Sequence, residues 1–334
     1  MPAGRILFHR RGDDGVERYF TINTDGSDER PLFEAEGCGC AIWSFDGTHV
    51  LTLGATGHGT FSFTTYLFDG TDRVVVDNPI TTLNLAPKST TADGRLIGFA
   101  AWDEEQPSNA GIWLAPPDLT DLRQLLPLQE GMLAAEPYGI SPDGSRIVLF
   151  AETGPEGGTT HAGDLHVLRA DGPGLRKLNP PGPRPGFVDV PPISLSVDGR
   201  SAAFGVEGTV YVIDLEGGEA RPITRDTGYV WAVSWSPTGE WITYTRQHGT
   251  TSVVALVRPD GTDDHEISPN DPSDEAAASV WSPDGTYLLV ARASGTSPDA
   301  PQDLWVMDLE GQYLGQVTHE PSNYGTYSWA PNPG

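Results

Sequence analysis

Four charged residues recur at one place in a repeating pattern. Arg10, Glu152, Arg246 and Arg292 each stand two residues beyond an aromatic or aliphatic strand residue: Phe8, Phe150, Tyr244 and Val290. Side chains held at matching positions could form a partial ring of charge that grips a carboxylate or phosphate. They could equally be salt bridges between neighbouring elements, and the sequence leaves both readings open. His58, His161, His248 and His319 all fall in loops of one predicted face. Four converging imidazoles could hold a divalent transition metal in a central channel. No His-x-x-x-His or Cys-x-x-Cys spacing marks such a site, so the expectation is no cofactor, with the metal as the alternative. Tyr229, Trp231 and Tyr324 offer rings for stacking on a sugar or aromatic ligand, or for filling space between elements. No nucleophile–base constellation stands out, so catalytic residues are not assigned.

The elements that must position these residues repeat. A short motif, an apolar residue followed by Ser-Pro-Asp-Gly or a relative, recurs along the chain. It reads Trp43-Ser44-Phe45-Asp46-Gly47, Thr90-Thr91-Ala92-Asp93-Gly94 and Ile140-Ser141-Pro142-Asp143-Gly144. It continues as Leu195-Ser196-Val197-Asp198-Gly199, Trp235-Ser236-Pro237-Thr238-Gly239, Trp281-Ser282-Pro283-Asp284-Gly285 and a final Trp329-Ala330-Pro331-Asn332. The copies lie about 40 to 55 residues apart, the period of a four-stranded propeller blade. Proline presets φ, Asp or Asn bonds its own backbone, and Gly takes the positive φ that closes a hairpin. The large residue before each turn suits the wedge between blades. An apolar strand follows each turn, then a strand of alternating β-formers ending in Asp-Gly or Glu-Gly, then a short outer strand such as Pro222-Ile223-Thr224.

The last motif stops at Gly334 with no strand after it, and the chain begins with a strand, Arg5–Phe8, that has no motif before it. Joined, the two ends make one repeat. The fold class is therefore all-β: a seven-bladed β-propeller of four-stranded blades, one domain over residues 1–334, whose last blade is closed by N- and C-terminal strands.

In such a ring the motif turns gather on one face. The loops entering the inner strands and those joining second to third strands gather on the other, at the channel mouth. The candidate ligand-binding residues there are Glu136, Asp189, Tyr229, Trp231, Arg246, His248, His319, Asn323, Tyr324, Arg10 and Glu152.

The 334 residues include 40 Gly and 29 Pro, which favours short strands and turns over long helices. With 20 basic and 46 acidic residues the formal net charge is −26, which repels nucleic acid and anionic lipid alike. No run of about 18 apolar residues could span a membrane as a helix. No signal peptide is evident near Met1, so the location expected from the sequence as written is cytoplasmic, or periplasmic or secreted if a leader has been trimmed. Cys38 and Cys40 are the only cysteines, and a Cys-Gly-Cys bridge would be strained, so both are expected as free thiols.

These repeats resemble the WD40-like (PD40) repeats of the TolB propeller family and of propellers in prolyl oligopeptidase-type peptidases. The resemblance covers essentially the whole chain and rests on turn and wedge residues, so it implies fold more than activity. No Gly-x-Ser-x-Gly elbow accompanies it, which removes serine peptidase activity of that type. The expectation is a monomeric module that binds a protein, peptide or small ligand at the channel mouth. The alternative is a stand-alone propeller enzyme of lyase, hydrolase or cyclase type with its site at the same place.

Overall fold

The computed structural model describes residues 2–12, 14–34, 41–44, 47–55, 61–67, 74–77, 83–90, 96–100, 107–115, 121–128, 134–141, 143–152, 163–170, 174–178, 193–206, 208–225, 228–249, 251–268, 275–293, 301–320 and 327–330. Of these, 42, 53–55, 61–67, 74–77, 83–90, 96–100, 107, 115, 134–136, 152, 163, 231, 275, 277 and 278 are described by backbone alone.

In the repeats whose motif carries a serine, that serine builds the first hairpin. Ser141 Oγ donates to Asp143 Oδ1 at 2.5 Å and accepts the Arg146 amide at 3.0 Å. Ser196 with Asp198 and Ser201 repeats this geometry, as does Ser282 with Asp284 and Tyr287. In Ser236 the partner is Thr238, a hydroxyl in place of the carboxylate. The glycines close the turns with φ values of +70°, +66° and +72° at Gly144, Gly199 and Gly285.

The hairpins extend into seven four-stranded antiparallel sheets among the described residues. The second sheet is Ala41–Trp43, His49–Ala55, Phe61–Leu67 and Val74–Asp77, and the third is Leu83–Thr90, Leu96–Ala100, Gly111–Ala115 and Arg123–Pro127. The fourth is Ala134–Ile140, Arg146–Glu152, Gly163–Arg169 and Arg176–Lys177, and the fifth is Ile193–Leu195, Ser201–Val206, Thr209–Asp214 and Arg221–Pro222. The sixth is Val230–Trp235, Ile242–His248, Thr251–Val257 and His265–Glu266, and the seventh is Glu275–Trp281, Tyr287–Ala293, Gln302–Asp308 and Tyr313–Gln316.

The first sheet joins the two ends of the chain. Tyr327–Trp329 is its inner strand, and Arg5–Arg11, Glu17–Asn23 and Arg30–Glu34 follow outward. Ile6 pairs with Trp329, Leu7 with Ser328 and Phe8 with Tyr327.

The core lies between sheets, as alternation along each strand requires. Phe8 and Ile6 of the first sheet bury against Leu289, Leu304 and Val306 of the seventh. Leu7 and Tyr19 turn the other way, towards Trp43 and Val50 of the second. The same division repeats at the seams between the third and fourth, fourth and fifth, fifth and sixth, and sixth and seventh sheets. Conserving this geometry, the indole of Trp281 donates across a seam to the Ser234 carbonyl at 3.2 Å, and Trp43 reaches the Ser328 carbonyl. Sheets packed face on face in sequence order, with the last against the first, make the all-β architecture a propeller.

The outer strands end in a second repeated device. Val317 donates its amide to the Leu304 carbonyl, and Thr318 Oγ1 accepts the Leu304 amide at 2.9 Å. Ile223 with Thr224 and Ile267 with Ser268 do the same for Val210 and Val254. These residues follow their strands rather than belonging to them, so the outer strands end earlier than the motif suggested. Among the described residues no helix is long and apolar enough to cross a membrane.

Candidate functional site

Tyr244, Arg246 and His248 alternate along the second strand of the sixth sheet, so their side chains share one face. Asp264 and Glu266 flank His265 at its outer strand. The two sets meet. Arg246 donates to Glu266 Oε1 and Asp264 Oδ1 at 3.0 Å each, and also to the Tyr244 hydroxyl. Tyr244 donates to Asp264 Oδ1 at 2.5 Å, and His248 Nε2 lies 2.7 Å from Glu266 Oε1. Burial and the Asp264 bond push the Tyr244 phenol far above its ordinary range. Burial opposes ionisation of Glu266, but hydrogen bonds from His248 and Arg246 prevail and hold its pKa low.

Arg10 and Arg292 occupy the same register as Arg246. Each stands four residues beyond the partner of the wedge residue: Ile6 opposite Trp329, Ile242 opposite Trp235, Leu288 opposite Trp281. The third strand contributes to how each cation is held. Phe20, paired with Phe8, gives Arg10 a ring 4.3 Å away. Trp305, paired with Val290, lies 4.8 Å from the Arg292 guanidinium, and Tyr313 lies at 4.6 Å. Opposite Tyr244 the residue is Ala255, too small to stack on, and its outer neighbour is Glu266. A cation held over a ring is attracted to its π face, and Arg246 lies 5.3 Å from the Tyr244 ring of its own strand while also pairing with Asp264 and Glu266. Arg10 takes both, pairing with Glu29 at 2.7 Å and with Glu320, beyond the seventh sheet, at 2.9 Å.

Glu152 is one position out of this register. Ile147 is the partner of Ile140, and the fourth residue beyond it is Ala151. The shared pattern read from the sequence thus holds for three arginines and fails for Glu152, because Phe150 lies on the opposite face of its strand from Leu149. Leu149 packs towards the third sheet, whereas Phe150 packs towards the fifth. The arginines also reach outward across their sheets to the third and outer strands. They are seam and sheet ties, with Arg10–Glu320 bridging two sheets.

His319 is exposed and sits against Gly26, whose added Cβ would fall 3.0 Å from the His319 Nε2. His248 is bound to the outer strand of the sixth sheet, so these two imidazoles serve different places. Among the described residues no group of three or more His, Cys, Asp or Glu could hold a metal ion.

Tyr229 is different. It precedes the inner strand of the sixth sheet and is 61% exposed. Its carbonyl accepts the Gln247 amide at 3.1 Å, which places it beside the hairpin that carries His248. Glu136, Glu152 and Trp231 are placed as strand positions only, and Trp231 opens a bulge in which Ala232 takes φ +53°. Asp189, Asn323, Tyr324, Cys38, Cys40, His58 and His161 lie outside the described residues.

Sequence reasoning missed Asp264 and Glu266. The available signal was their alternation, in phase with Tyr244-x-Arg246-x-His248. It read Ile223 and Thr224 as part of an outer strand, whereas they follow it and bond to Val210.

No family model matches the chain, and no curated protein matches it in sequence. Solved structures do match in shape. TolB from Acinetobacter baumannii superposes with a TM-score of 0.55 at 14% identity, covering 98% of this chain and 67% of that one. A prolyl endopeptidase gives a TM-score of 0.65 at 13% identity over 96% of this chain, which spans 49% of the enzyme's length. A structure described as the eukaryotic initiation factor gives 0.52 at 13%, with 100% and 99% covered. At these identities the likeness establishes the propeller fold.

Proposed function

We propose that the chain is one seven-bladed propeller domain, monomeric, that acts as a binding module for a protein or peptide. Seven four-stranded sheets, with core seams running from the third sheet through the seventh and first to the second, support the blade count. The binding surface is the loop face around Tyr229, His248 and His319. One observation carries this reading. Arg10, Arg246 and His248 are engaged with carboxylates of their own sheets or seams, while Tyr229, ahead of the inner strand of the sixth sheet, is exposed. Paired charges on a rigid scaffold form a surface to lie against rather than a reacting constellation.

Photo-crosslinking residues placed singly at positions 229 and 319 should yield adducts in cells, whereas the same residue at 143, 198 or 284 should not. Equal yields from both faces, or adducts from the turn face alone, would overturn the reading. A stoichiometric transition metal in the purified protein would favour the enzyme alternative instead.

A further inference from the structure

Rings at the sheet faces of this protein recurrently carry a guanidinium. Arg10 lies over Phe20, Arg258 lies 4.1 Å from the Trp241 ring, and Arg292 lies beside Trp305 and Tyr313. Arg10 is also clamped by Glu29 and Glu320, and Arg258 by Asp263. Tyr229 is the exposed aromatic that has no such cation among the described residues.

Its platform is already ordered. A Cβ on Gly208 would fall 1.9 Å from the Gly228 carbonyl oxygen, and one on Gly228 would fall 2.5 Å from that of Gln247. Loops of the fifth and sixth sheets therefore stack backbone on backbone beneath Tyr229. Little ordering entropy remains to be lost when something binds there. Around it the whole molecule carries a net charge of −26.

We infer that Tyr229 seats an arginine side chain of a basic partner segment, with the guanidinium stacked on the ring and the segment drawn to the molecule by its net charge of −26. This rests on the binding reading of the same face. Arginine is favoured over lysine because its planar, weakly hydrated head stacks on rings. A peptide is favoured over a nucleic acid because a polyanion is repelled by this surface.

The test uses labelled deca-arginine and deca-lysine peptides, with binding followed by fluorescence anisotropy at about 0.15 M salt. Tyr229→Ala should weaken the arginine peptide about three- to thirtyfold and leave the lysine peptide unchanged, and Tyr229→Phe should retain wild-type binding. Equal loss for both peptides, or no loss for either, overturns the inference. A Gln247→Lys, His248→Lys variant separates the two levels. If it weakens both peptides while Tyr229→Ala does nothing, the face binds basic segments without the ring, and only this inference falls. If neither variant changes binding, the docking reading of the face falls with it.

Discussion

At the scale of single residues, the turn serines combine local bonds with a titratable partner. Ser141 is fully buried, and its hydroxyl connects a carboxylate to a strand amide. The Ser141 hydroxyl, and after it the Ser145 amide, hold Asp143 below the ordinary carboxylate pKa of 3.8. Ser196 acts in the same way on Asp198. At Asp284 burial opposes, but Ser282 and Thr286 prevail. A carboxylate whose folded pKa is depressed contributes stability that is present above its unfolded value and lost as pH falls through the folded one. Ser141→Ala leaves the Arg146 amide and Asp143 without their buried partner, which costs about 1–3 kcal/mol at pH 7. That penalty should shrink as pH falls below about 4 and through the depressed folded value, where the carboxylate protonates in the folded wild type as well. Urea denaturation at pH 7 and pH 3 measures it, and an equal penalty at both values would disprove the link between this bond and acid stability.

At the scale of elements, the third-to-fourth strand turns hold neighbouring sheets together. Gly311 sits at φ +85°, and a Cβ there would fall 1.8 Å from the Ile267 carbonyl oxygen of the sixth sheet. Gly261 makes the equivalent approach to Ile223, and Gly26 to Val317. Gly239 has a similar φ of +77° but open space around it. The pair separates backbone strain from sheet contact. Gly239→Ala should cost only the left-handed penalty, about 1–2 kcal/mol. Gly311→Ala must also push two sheets apart, so its thermal midpoint should fall well below that of Gly239→Ala. Matching midpoints would show that the turn does not serve the seam. The hairpin turns were legible because Ser, Pro, Asp and Gly act on their own backbone within a few residues, and the repeat period then implied sheets of four strands. The seam contacts were not legible. That Arg246 meets Asp264 and Glu266 depends on the outer strand, whose residues are brought beside it by register and not by sequence distance. Glu152 shows the same limit: its spacing from Phe150 matched the arginines, but its strand places Ala151 in the position that counts.

At the scale of the whole molecule, the decisive element is the strand Arg5–Arg11. It bonds to Tyr327–Trp329 on one side and to Glu17–Asn23 on the other. Ile6 and Phe8 bury against the seventh sheet while Leu7 buries against the second, so this one strand carries parts of two seams. Opposing it is the formal charge of −26, whose mutual repulsion favours any more open arrangement. Added salt screens that repulsion over a Debye length of about 10 Å at 0.1 M. The full-length chain should therefore melt at a higher temperature as salt rises from low to moderate. A chain lacking residues 2–11 should lose both seams at once and leave the edges of its two neighbouring strands unpaired. Its unfolding should become broad, its midpoint should fall, and the deficit should be largest at low salt, where repulsion is least screened. Supplying the missing segment as a separate peptide should restore part of the cooperativity, because the binding surfaces on both sides remain. Calorimetry across a salt series tests this. A truncated chain that melts as sharply and as high as the full-length one would show that the ends do not hold the first sheet between its neighbours.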